Sequence, residues 1–335
     1  MATSLAYLAS VQKMLTRYGM STYVAFGNLG NLLAIAVFIQ PEQRRNACSL
    51  YLLTMTVFNI CCLNVGIIPI IYTLDYYDIT TATLLGCRMQ FYFRHVFFQM
   101  LRTAKALTCM DRYAICSSNV RFRTLSHPKV AIYVIIGCFI SWSLIVIFFS
   151  WIRSVQNNSC NIFNETYAMI YTIYYMMVSG VIPPLMMTIF SVLVLKNLRS
   201  LRRRIQPGRR NEVENHPPIR IVRKRDRDLM KMIFIEVMFY VITTLPFSVY
   251  LVYKLITDSL VKSQQRKQIE TFINYFLQSF MLYFNTAVPF YIYVATSPAF
   301  RRELKRVFIK LYACMTGKQI RDEQHTRGMT TIARP

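Results

Sequence analysis

The chain has 335 residues, 54% of them hydrophobic and 16% charged, where a soluble domain carries roughly 25% charged residues. Its net charge of +24 would suggest nucleic acid on a soluble protein, but the basic residues sit in blocks between long apolar runs, which excludes that partner. Those runs are continuous rather than alternating, so neither a water-soluble domain nor a barrel of short alternating strands fits.

A helix that crosses a bilayer needs roughly 20 apolar residues. Seven stretches qualify, at about 20–39, 50–74, 84–113, 130–151, 167–195, 229–256 and 270–296. They predict an all-α membrane protein, a seven-transmembrane helix bundle forming one domain over residues 1–335. Residues 1–19 are polar and mixed, without a cleavable signal, so the first span is expected to insert as its own signal. Arg44 and Arg45 follow it, and Asn59 lies inside the second span.

The third span starts near Cys87 and ends in Asp111-Arg112-Tyr113. The 25 residues from Cys87 to Arg112 cover about 37 Å at helical rise, so the two lie at opposite membrane faces. Between them stand Arg94, Arg102 and Lys105. A cation at a helix centre costs roughly 2.5–3.5 kcal/mol. Three so close together cannot all reach an interface, and their spacing puts them on one face, directed into the bundle with partners.

Further along, Arg121, Arg123 and Lys129 precede the fourth span, and two N-glycosylation sequons follow it, at Asn157 and Asn164. Residues 196–227 hold twelve Lys/Arg against three Asp/Glu. The loop 201–226 within them carries Pro207-Gly208 and Pro217-Pro218, which predicts a flexible centre. Beyond the seventh span, Ser297 suits a cap and Pro298 a first helical turn. Phe300, Leu304, Val307, Phe308 and Leu311 then recur at helical spacing, opposite Arg301, Arg302, Lys305, Arg306 and Lys310. An amphipathic interfacial helix over 298–312 follows, then a tail, 313–335. Cys314 extends its apolar face and is a candidate for palmitoylation.

All the basic blocks fall on one side of a seven-span topology. Positive charge marks the cytoplasmic side, which places the C-terminus inside and the N-terminus outside; a multi-pass protein of the plasma membrane is expected. The same charge suits contact with anionic lipid. Both sequons fall on the opposite side. So do Cys87 and Cys160, which are expected to form a disulfide in that oxidising setting.

Seven spans, an outer disulfide cysteine and Asp111-Arg112-Tyr113 together resemble the rhodopsin-like (class A) family of G-protein-coupled receptors, over about residues 20–313. Gly30-Asn31 is similar to the family's first-span motif, and Trp142 to its fourth-span tryptophan. Pro183 or Pro184 stands for the fifth-span proline, Pro246 for the sixth-span proline and Tyr293 for the tyrosine that closes the seventh-span motif. The nearest flavour resembles an invertebrate peptide receptor. Departures are the second-span aspartate, here Asn59, and the sixth-span tryptophan, here Thr244. The aromatic four residues before that is Tyr240, Pro289 stands where an asparagine is expected, and the fifth-span tyrosine is replaced by Ser191 or Val192. Sodium regulation through the second-span aspartate is therefore not expected.

The resemblance implies binding of an extracellular ligand and activation of a heterotrimeric G protein, with no enzymatic chemistry, cofactor or metal. It implies a switch at Asp111, Arg112, Tyr113, Pro246 and Tyr293, and an inactive-state pair between Arg112 and Asp226 at the foot of the sixth span. Lys105 and Glu236 face each other in a layer that the family keeps apolar. They are expected to pair as a second latch, the alternative being separate satisfaction by backbone, Asn59 or water. Arg102 is expected over the Tyr240 ring. At the depth where the family binds ligands stand Arg94, His95, Gln99, Thr244, Gln278 and Tyr283. An arginine at position 94 argues against an amine and for a carboxylate or carbonyl on the ligand. Polar outer loops and the lack of a seventh-span retinal lysine point to a peptide. Two rivals stay open: a degenerate receptor that no longer couples, and a transporter or channel whose intramembrane cations line an anion path.

Overall fold

The computed structural model describes residues 2–117, 120–157, 159–204, 217–257 and 260–316. The fold is a helical bundle. The first spanning helix is continuous over 2–38: Ala2–Met14, a π-helical segment Leu15–Met20, then Ser21–Phe38. Residues 2–19, which precede the apolar run, are thus helical and continuous with it. The second helix is Ala47–Tyr72 and the third Leu84–Cys116. The fourth is Pro128–Trp151. The fifth runs through Glu165–Tyr175, the π-helical Met176–Val181 and Ile182–Arg204. The sixth is Pro217–Thr257, with Pro246 inside it.

The seventh helix is assembled from Gln264–Asn274, Tyr275–Met281, Leu282–Ala287 and Pro289–Thr296. Its division at Val288 follows from Pro289, which has no backbone N–H to donate, while Val288 itself keeps a right-handed helical conformation at φ −85° and ψ −24°. A last helix, Pro298–Thr316, continues past the expected end at residue 312. It packs against the first and sixth helices. Among the described residues the β-structure is one hairpin, Ser154–Gln156 against Ser159–Asn161, turning through Asn157 at φ 50°.

Helix starts use side-chain caps written in the sequence. Asn46, Thr83 and Asn164 each accept a backbone N–H of the first turn of the helix they precede. Among the described residues, five helices are apolar and long enough to cross a membrane on composition alone. The third is not among them, because it carries Arg88, Arg94, Arg102 and Lys105. It is nevertheless the hub, packed against the second, fourth, fifth and sixth helices. Arg88 is half-buried against the exposed Trp151, whereas Arg102 and Lys105, which lower its hydropathy, are buried in the bundle. The fourth helix does the reverse, with Tyr133, Ile140 and Leu144 on an exposed apolar face that suits lipid. Between the helices, Leu52, Met55, Leu101, Met187, Met232 and Tyr293 form the main core.

Candidate functional site

The disulfide Cys87–Cys160 ties the start of the third helix to the hairpin, with Cα atoms 5.6 Å apart. Arg153 lies beneath the hairpin. Its guanidinium is 3.8 Å from the Phe91 ring centre and 5.4 Å from that of Tyr171, and it donates to the Cys160 carbonyl. Burial pulls the Arg153 pKa below its ordinary value. This arginine gave no signal in the sequence, because it falls between a span and a polar loop.

One level deeper, the residues expected at the ligand depth fall into two groups. Arg94 lies beside the Tyr283 hydroxyl, toward the second and seventh helices. His95 and Gln99 turn toward the fifth. His95 Nε2 is 3.2 Å from the Tyr174 hydroxyl, and Gln99 Nε2 is 3.2 Å from Ser179 Oγ and 3.4 Å from His95 Nε2. Gln278 is half-buried in the π-helical segment of the seventh helix, and Thr244 is buried on the sixth. Tyr283 is seated by Gly66: a Cβ at position 66 would lie 2.1 Å from its hydroxyl oxygen. Gly66→Ala is therefore expected to cost roughly 1–3 kcal/mol by overpacking. It should lower the yield of folded protein, and Tyr283→Ala in the same chain should restore it. Equal yields of Gly66→Ala and the parent would show that this contact is not tight.

Arg102 is buried, and its Nη1 donates to Gln99 Oε1 at 3.2 Å and Ser179 Oγ at 3.1 Å. Its guanidinium stands over the rings of Phe98 and Tyr175, at 5.3 and 5.8 Å. The cation over the Tyr240 ring is Lys105, at 5.1 Å, which corrects the expected Arg102 stack. Tyr240 and Glu236 are four residues apart on one helical face, so the cation that reaches Glu236 also meets Tyr240.

Lys105 Nζ lies 3.2 Å from Glu236 Oε1, and both side chains are buried. The contact is an ion pair by distance rather than an aligned hydrogen bond. The other carboxylate oxygen accepts from the Tyr293 hydroxyl at 2.8 Å. Three helices, the third, sixth and seventh, therefore meet on one carboxylate. A void of about 10 Å³, lined in part by Lys105, Thr108 and Glu236, lies beside it. That is the least room a water needs. Tyr293 entered the sequence reading as a motif residue, and nothing in the sequence tied it to Glu236.

Below this layer Arg112 Nη2 donates to Asp111 Oδ2 at 2.5 Å and to Asn46 Oδ1 at 3.3 Å. Ser126 donates to the other Asp111 oxygen. Asn46 thus both caps the second helix and holds Arg112. Tyr113 packs against Phe122 and Phe190. The Asp226 side chain lies outside the described residues. In the polar centre Asn59 donates to Asn31 at 3.3 Å, and Asn285 donates to Thr243 at 2.5 Å. Asn164 uses its side-chain oxygen as a helix cap, Asn157 occupies the hairpin turn, and Cys314 is exposed on the last helix.

No curated protein matches the chain. The model of the 7 transmembrane receptor (rhodopsin family) matches residues 30–293, a range that opens on Gly30, contains the disulfide, Arg112 and the Lys105–Glu236 pair, and closes on Tyr293. By that match, and by a helical bundle built around a charged third helix, the chain belongs to the rhodopsin family of G-protein-coupled receptors, multi-pass membrane proteins.

Proposed function

We propose that this receptor sits in the plasma membrane with its N-terminus outside, binds an extracellular peptide and activates a heterotrimeric G protein from its cytoplasmic face. The observation that carries the reading is the junction of Lys105, Glu236 and Tyr293 directly above Asp111 and Arg112. A ligand that shifts the sixth helix must break this junction, and its loss frees the cytoplasmic end of that helix to swing away from Arg112. Arg112 then exchanges Asp111, Asn46 and its inactive-state partner Asp226 for G-protein contacts, with Tyr113 beside it and Pro246 as the bend. Arg94, His95, Gln99, Thr244, Gln278 and Tyr283 receive the ligand. Asn157 and Asn164 carry glycans outside, while palmitoyl on Cys314 and the basic face of the last helix hold the inner leaflet.

A neuropeptide panel read out by reporters for each G-protein class tests this. A concentration-dependent response that Arg112→Ala abolishes is expected. Asn59, Thr244 and Pro289 favour a second reading, a receptor-like protein that binds but does not couple. Ligand binding on cells with silent reporters in every class would select it. Antibody access to a tag at residue 1 on unbroken cells tests the orientation, and a tag reachable only after permeabilisation would reverse it.

A further inference from the structure

Four cations of the third helix project into the bundle, Arg94, Arg102, Lys105 and Arg112, and the described spanning helices offer two buried carboxylates, Asp111 and Glu236. Both are engaged, Asp111 by Arg112 and Glu236 by Lys105. Arg102 is 5% exposed and meets no carboxylate among the described residues. Its contacts are neutral: Gln99, Ser179, the Phe98 and Tyr175 rings, and the nearby Tyr240 hydroxyl. A guanidinium does not shed its proton. In low dielectric it is costly unless a counter-charge reaches it.

A second observation points the same way. The hydroxyls of Tyr240 and Thr244 lie beside each other and beside Arg102, both buried, and neither makes an aligned hydrogen bond among the described residues. The cluster is short of an acceptor, not of donors. One negatively charged acceptor beside Arg102 would take both hydroxyl protons and would cancel the uncompensated charge of the guanidinium.

We propose that Arg102, Tyr240 and Thr244 form a binding site for one monovalent anion, a halide or a carboxylate. The anion comes either from solution or from the ligand itself. The site lies one helical turn above Lys105, so its occupancy sets the packing between ligand and latch. That signalling consequence rests on the receptor reading, whereas the binding does not.

Full-length receptor purified in detergent tests it. Its unfolding temperature is measured in sodium isethionate, a bulky sulfonate, and isethionate is then replaced stepwise by chloride or by acetate at constant ionic strength. A saturable rise of several degrees is expected, and Arg102→Met and Arg102→Gln should each abolish it. The glutamine variant keeps a polar group for Gln99 and Ser179 should the methionine variant fail to fold. A rise with chloride identifies a free halide, and a rise with acetate alone identifies a carboxylate such as a ligand would carry. A parent protein that gains nothing from either anion, or an equal gain with Arg102 replaced, overturns the site. Neither ligand nor G protein enters the measurement, so its failure is separate from that of the reporter assay.

Discussion

Glu236→Ala is expected to remove roughly 3–5 kcal/mol of folding stability, because it strands the Lys105 ammonium in a buried layer without its counter-charge. The same change frees the Tyr293 hydroxyl from the sixth helix. The surviving receptor should then signal without ligand, and surface display should fall. Lys105→Leu combined with Glu236→Val should recover display, since replacing both ions by apolar groups of similar volume is neutral or stabilising in many proteins. Tyr293→Phe keeps the ion pair and removes only a hydrogen bond to a charged acceptor. It should cost roughly 1.5–3 kcal/mol and raise basal signalling with a smaller loss of display. A double-mutant cycle on Lys105 and Glu236, read as unfolding temperature and display, decides the matter: additive effects would mean that the two charges do not act as a latch.

Cys160→Ser should be the second large effect. The disulfide joins residues separated by 73 positions, and removing such a bridge costs roughly 2–5 kcal/mol. Here it also releases the hairpin that covers Arg153, so the buried guanidinium loses its contact with the Cys160 carbonyl. Cys87→Ser and the double variant should match Cys160→Ser, because each breaks the same bond. Display on cells, together with mobility under reducing and non-reducing conditions, measures it. A Cys160→Ser variant displayed at the parent level, or a Cys87→Ser variant well above Cys160→Ser, contradicts the account.

Much of the fold was legible along the chain. A lipid interior forbids unpaired backbone groups, so each apolar run of membrane length had to be a helix. The structure adds the ends: Asn46, Thr83 and Asn164 cap helices, and the seventh helix divides at Val288, just before Pro289. The first helix begins well before its apolar run, at Ala2, because residues 2–19 are mixed in polarity and yet continue it. Their contacts are partly polar, as where the buried Thr16 hydroxyl meets that of Tyr275, so hydropathy is silent about them.

The site was legible in its parts and not in its pairings. That Arg94, Arg102 and Lys105 must face inward follows from the cost of charge in lipid, which any sequence reveals. Which cation meets which acid depends on how the helices rotate and how deep each residue sits, and neither quantity is local. The sequence by itself therefore determined seven helices, their inward charges and the cysteines on one side. Only the tertiary structure decided that Tyr293 shares Glu236 with Lys105, that Asn46 reaches Arg112, and that Arg102 is left among neutral groups. Backbone hydrogen bonds close within a few residues and can be read from neighbours, whereas a buried charge is neutralised by whatever another helix brings to its depth.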